Sequence, residues 1–90
     1  MRELLLDGAA VTDRASLHDR LTELLTLPDY YGRNLDALHD CLGDIAEPTL
    51  LRVTHRTLLE QRLGDYAEGL FAVLKDSAAE NSRLSVLVEW

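Results

Sequence analysis

The sequence predicts an α/β fold: a small three-stranded parallel sheet with about four helices, in a single domain over residues 1–90. Three observations lead there. Short apolar runs at Leu4-Leu5-Leu6, Thr49–Val53 and Leu84–Val88 read as buried strands. The segments between them repeat leucine at helical spacing, and strands joined through helices run parallel with right-handed crossovers. The composition supports packing, since 47% of the 90 residues are hydrophobic, 28% are charged, and Gly and Pro number only 5 and 2. A chain of this make-up buries enough apolar surface to offset its ordering entropy, and its length suits one core.

Taken in order, Leu4-Leu5-Leu6 closes at Asp7-Gly8, a turn signal. Asp13 can cap a first helix in which Leu17, Leu21, Leu24 and Leu25 recur at i, i+4, i+7 and i+8. Pro28 ends that helix, because it lacks an amide hydrogen and disfavours helical geometry at Leu27. Asp29-Tyr30-Tyr31-Gly32-Arg33 reads as a loop, with one tyrosine of the pair packing in the core, and Asn34 as the cap of a second helix.

The second helix is expected from about Leu35 to Leu42, stopping at Gly43. Leu35, Leu38, Cys41 and Leu42 share one side, Asp36 and Asp40 lie opposite, and His39 flanks Asp36. After Glu47-Pro48 and the second strand, Leu58, Leu59 and Leu63 suggest a short third helix. Asp65 is expected to cap a fourth, with Ala67, Leu70, Phe71, Leu74 and Ala78 as its apolar stripe and Asp76 pointing into solvent.

The charge narrows the functions. Sixteen Asp and Glu against nine Lys and Arg give −7, a field that repels phosphate backbones and anionic lipid and attracts a basic partner. The balance is steepest from Asp29 to Glu47, where Asp29, Asp36, Asp40, Asp44 and Glu47 face Arg33 alone. Tyr30 and Tyr31 stand beside these acids, and tyrosine next to carboxylates supplies rigid, half-polar area of the kind found in protein interfaces. The single cysteine, Cys41, excludes an intramolecular disulfide and fits a reducing compartment. No apolar run approaches the about 7–15 residues of a signal peptide core or the about 20 of a spanning helix, so the expected location is cytoplasmic.

Catalytic signatures are missing. The chain has no phosphate-cradling glycine loop, nucleophile elbow or zinc-protease helix. Cys41 falls on an apolar helix side, where a buried thiol is inert. Asp36, His39 and Asp40 have a spacing at which two carboxylates and an imidazole meet one cation, but a solvated polar face is the ordinary reading. Asp7 before Gly8 is read as a turn residue rather than a phosphate acceptor. Neither metal nor cofactor is expected.

The run from Leu27 to Leu42, LPDYYGRNLDALHDCL, closely resembles the signature of the barstar family, intracellular inhibitors of the secreted ribonuclease barnase. Length, element order, Pro48 before the second strand and the closing strand agree with it along the whole chain. The resemblance implies a non-enzymatic inhibitor, in which the second helix and the loop before it plug a ribonuclease active site. Tyr30, Gly32, Asn34, Leu35, Asp36, His39 and Asp40 hold the matching positions. By this likeness Asp40 enters the phosphate site, Asp36 and Tyr30 flank it, and Tyr30 stacks on a catalytic histidine. Asp76 stands where the family carries a glutamate that meets a basic residue, one methylene shorter here.

Two features depart from the family. A tryptophan is frequent at the position of His39 and another near Asp44 or Ile45; the prolyl bond before Pro48 is cis in the best-known member, and with Glu47 here in place of an aromatic residue the isomer of Glu47-Pro48 is left open by the sequence. The expected partner is a basic, barnase-like ribonuclease bound one to one by a chain that is monomeric when free, an antitoxin arrangement. The alternative is the same fold serving a different basic partner, another nuclease toxin or a regulator.

Overall fold

The computed structural model describes residues 1–90. β1 (Arg2–Asp7) leads through a short 3-10 turn (Gly8–Ala10) into α1 (Arg14–Leu25) and α2 (Leu35–Gly43). β2 (Thr49–Thr54), α3 (Arg56–Leu63), α4 (Asp65–Glu80) and β3 (Leu84–Val88) follow. The strands form one three-stranded sheet in the order β1-β2-β3, both pairs parallel, with Leu4 opposite Leu51 and Leu51 opposite Val86. The α/β architecture expected from the leucine pattern is therefore the observed one.

Side chains alternate across a strand, and here only one set of them meets the helices. Leu6, Leu51, Val53 and Leu84 are buried in the core, and Leu4, Val86 and Val88 pack against it. On the opposite face Glu3, Leu5, Ser85 and Leu87 are exposed. The molecule is thus two layers, thin along one axis at 19 Å, with a sheet open on one side. Parallel sheets are usually covered on both faces. Here Arg52 bridges the open face between Glu3 on β1 and Glu89 just past the end of β3, at 3.3 and 3.0 Å.

The helix ends show local chemistry at work. Asp13 caps α1 reciprocally with Ser16, each side chain bonding the other's backbone N–H. α1 closes at Thr26, a left-handed residue (φ 52°), just ahead of Pro28. Asp7 accepts from Ala9 N–H and pairs with His55 at 3.0 Å, so it is a turn cap. That backbone bond holds its carboxyl below the usual range against the opposing cost of burial, with the His55 charge and hydrogen bond adding to the lowering.

Two expected boundaries are corrected. Asp65 does not cap α4: it is the first helical residue, and the cap is Gly64, whose φ of 60° and ψ of −133° favour glycine. Asp65 stabilises the helix by its charge beside the N-terminal dipole instead. Gly43 does not stop α2 in a left-handed turn, since the helix includes it and ends at Asp44 in right-handed geometry. The Asp44 N–H serves Cys41 O and Leu42 O, and the Asn81 amide adds donors from outside to Leu42 O and Ile45 O, each at 3.0 Å. The Glu47–Pro48 bond is trans.

Candidate partner-binding site

The loop between α1 and α2 is held by its own side chains and by α1. Tyr31 N–H donates to Pro28 O at 2.9 Å. The adjacent tyrosines then part company: Tyr30 is 89% exposed and Tyr31 only 8%. The Tyr31 hydroxyl lies 2.7 Å from Nδ1 of buried His18, and Nε2 of His18 lies 2.7 Å from the Tyr66 hydroxyl on α4. One imidazole thus ties the loop to α1 and to the first turn of α4. A neutral ring serves both hydroxyls, donating to one and accepting from the other. Burial, then the Arg33 charge, hold the His18 pKa below its ordinary value. Burial also pushes the Tyr31 hydroxyl well up.

Arg33 is left-handed (φ 55°) and points back to α1, donating to Ala15 O at 3.0 Å and Asp19 at 2.7 Å. The single cation of this stretch is thereby spent on α1. Asn34 caps α2 by accepting from Ala37 N–H at 2.8 Å, and its amide donates to Gly32 O at 3.2 Å. Leu38 and Leu42 are buried beneath α2 and Cys41 half-buried. Burial, then Asp44 and Asp40, push the Cys41 thiol pKa up, as suits a packing residue.

Outward, α2 and its loop present Asp29, Asp36, Asp40 and Asp44, all exposed. None lies within 4.0 Å of a cationic group, whereas Asp19, Glu3, Glu23, Glu60 and Glu89 each pair with an arginine. Glu47, the fifth acid of the run, turns to Arg2 at 3.9 Å. Asp36 sits in the first turn, where the helix dipole favours an anion. Asp40 and Asp44 occupy the other end, where the dipole opposes them and the last turn holds no basic residue. The fold gains nothing from their charge.

A cleft of about 570 Å³ opens beside these acids, its apolar lining including Leu27, Pro28 and Ile45 and its polar lining Asp40, Asp44 and the Arg2–Glu47 pair.

α4 completes the surface. Gly69 lets it approach the start of α2, for a Cβ there would lie 2.7 Å from Leu35 Cδ1. Asp76 is exposed and has no ion-pair partner. His39 bonds Glu80 through Nε2 at 2.7 Å, and no three His, Cys, Asp or Glu side chains are close enough together to hold a metal ion. The structure thus gathers Tyr30, Gly32, Asn34, Leu35, Asp36, His39 and Asp40 on one loop and helix, with Asp76 on α4. Sequence reasoning missed the residues behind them: His18, Gly69, Glu80, Asn81, and the use of Arg33 as a clamp. Only Arg33 left a trace, as the lone cation in an acidic run.

A family model described as Barstar (barnase inhibitor) matches residues 1–89. The chain belongs to the barstar family. It is also similar to a Bacillus subtilis (strain 168) protein named "Putative ribonuclease inhibitor YrdF", at 36% identity over 91 residues, covering 99% of this chain and 100% of that one. No helix in this barstar-family chain is long and apolar enough to cross a membrane.

Proposed function

We propose that this chain inhibits a barnase-like ribonuclease by seating α2 and the loop before it in the enzyme's active site, with Asp40 in place of a substrate phosphate. The observation that carries the reading is the set of exposed carboxylates on α2 and its loop that no cation of the chain neutralises. A ribonuclease must hold a phosphate with converging cationic donors, and a carboxylate fixed on a helix presents oxygens to the same donors. Family membership, and the ribonuclease-inhibitor name of the Bacillus relative, support the same class of partner.

Each element has a part. Tyr30, held outward because Tyr31 is anchored inward, offers a ring for stacking on a catalytic histidine. Gly32 and Asn34 shape the loop, Leu35 supplies apolar contact, and Asp36 and Asp76 add flanking contacts to basic residues. The unneutralised charge steers a cationic enzyme into rapid capture, which suits an antitoxin that protects the cell making the enzyme. The inhibitor acts as a monomer in the cytoplasm, without metal or cofactor, and forms a one-to-one complex.

Titrating the protein into barnase and following RNA cleavage tests this. Activity should fall linearly to zero at one equivalent. Tight binding without loss of cleavage would favour the other reading, a barstar fold serving a different basic partner, and the absence of tryptophan at His39 gives that reading its foothold. Capture from the source cell, followed by a ribonuclease assay on whatever binds, separates the two.

A further inference from the structure

Along α2, His39 is the one side chain able to carry positive charge, and α4 sets its state. A carboxylate only accepts hydrogen bonds. With Nε2 at 2.7 Å from Glu80 Oε2, neutral His39 must therefore hold its proton on Nε2 and offer the Nδ1 lone pair as an acceptor. The ring is part-exposed, at 40% of its side-chain surface. The charges that act on it are acidic: Glu80 and Asp76 on α4 and Asp40 on its own helix, with Asp36 three residues earlier along α2.

The two protonation states differ in what they present. With neutral His39, the pair with Glu80 carries a net negative charge and an open acceptor. With protonated His39, the pair is neutral overall and Nδ1 becomes a donor. A surface rich in arginine and lysine complements the first state and is opposed by the second.

We propose that His39 and Glu80 make docking proton-linked: the basic partner takes the inhibitor with His39 neutral, so complex formation releases a proton and weakens as the medium acidifies. This rests on the inhibitor reading of α2. The Glu80 bond, then the charges of Glu80, Asp40 and Asp76, hold the free His39 pKa above its ordinary value, so the ring changes charge at higher pH than an unpaired histidine. A cationic partner beside the ring drives the proton off. Fold and docking then pull in opposite directions. The His39–Glu80 attraction stabilises the free fold fully below about pH 6.5 and is lost as pH rises through the raised pKa, whereas docking gains over that same rise.

The test uses barnase as the probe against wild type, His39→Gln and Glu80→Gln, by calorimetry between about pH 5.5 and 8 in buffers of different ionisation heat. Titrating groups on barnase contribute equally throughout, and His39→Gln reports that background. Wild type should release more protons than His39→Gln, and its Kd should rise about tenfold more across the range, the linkage of one pKa unit. Glu80→Gln should keep the extra dependence but move its midpoint to lower pH, a displacement that lost packing does not produce. Proton release and pH profile identical in wild type and His39→Gln would overturn the proposal while leaving the inhibitor reading intact. So would an unmoved midpoint in Glu80→Gln. Failure of wild type to bind barnase at any pH would remove the inhibitor reading, and this proposal with it.

Discussion

The open face of the sheet and the outer face of α2 are both exposed and both carry carboxylates, yet they treat their charge in opposite ways. On the sheet, Arg52 lies between Glu3 and Glu89 and bonds to both, 3.0 Å to the nearer. On α2 and its loop, Asp29, Asp36, Asp40 and Asp44 have no cation within ion-pair range, and the one arginine of the stretch is turned to Asp19. The first arrangement is what stability alone produces. The second leaves like charges together, two of them at the wrong end of a helix dipole, and is the arrangement that the proposed basic partner would explain by bringing the cations.

Asp40→Ala probes the contrast with the largest expected effect. Affinity for barnase should fall by several kcal/mol, in the range of about 4–8 kcal/mol of the strongest interface hot spots, a scale that the barnase–barstar pair itself helped to set and that is inherited here by family likeness. Thermal unfolding should show no loss of stability, because alanine favours a helix over aspartate by about half a kcal/mol and the dipole penalty disappears.

The next effect lies in the fold beneath the α2 face. His18→Ala should cost about 2–4 kcal/mol in denaturant unfolding, from the cavity and from two tyrosine hydroxyls left without their partner. Its pH signature has a definite sign. His18 is held neutral in the fold, so its contribution is full above about pH 6.5 and is lost as pH falls through the depressed folded pKa. Wild type should therefore lose stability on acidification in this window more steeply than His18→Gln, measured by urea midpoints at matched pH values.

Asp76→Ala should cost less affinity than Asp40→Ala, about 1 kcal/mol, being one exposed contact from α4. Raising salt should slow association with barnase far more than it speeds dissociation, and stopped-flow mixing reads both. Glu89→Gln on the sheet face should change affinity within error and stability by at most about half a kcal/mol, the value of an exposed ion pair.

The contrast between the two faces was only half legible in the sequence. The strands, α1 and α2 follow from leucine spacing and from Asp13, Pro28 and Asn34, whose effects are local. The charge imbalance from Asp29 to Glu47 was countable. Which acids are neutralised was not, because Arg52 meets Glu3 and Glu89 across strands and Arg33 meets Asp19 across a loop. For the same reason His39–Glu80 and His18–Tyr66, 41 and 48 residues apart, could not be read. That one tyrosine of the pair would be buried follows from the need for a core. That it is Tyr31 depends on His18 waiting beneath it. The two misplaced helix ends, at Gly43 and Asp65, show tertiary contacts and a glycine conformation overriding the common capping pattern.

One paired measurement bears most directly on the claim that α2 holds its charge for a partner. Asp40→Asn and Glu89→Gln each remove one carboxylate charge at nearly constant shape, one from each face. Each variant is titrated against barnase with RNA cleavage as the readout, and its thermal unfolding is recorded alongside. The account predicts that Asp40→Asn loses at least about a hundredfold in affinity, the roughly 3 kcal/mol expected when one partner of a buried ion pair is removed, and melts no lower than wild type. Glu89→Gln should inhibit like wild type and melt at the same temperature or slightly below. Near-wild-type inhibition by Asp40→Asn, or equal losses in the two variants, would contradict it.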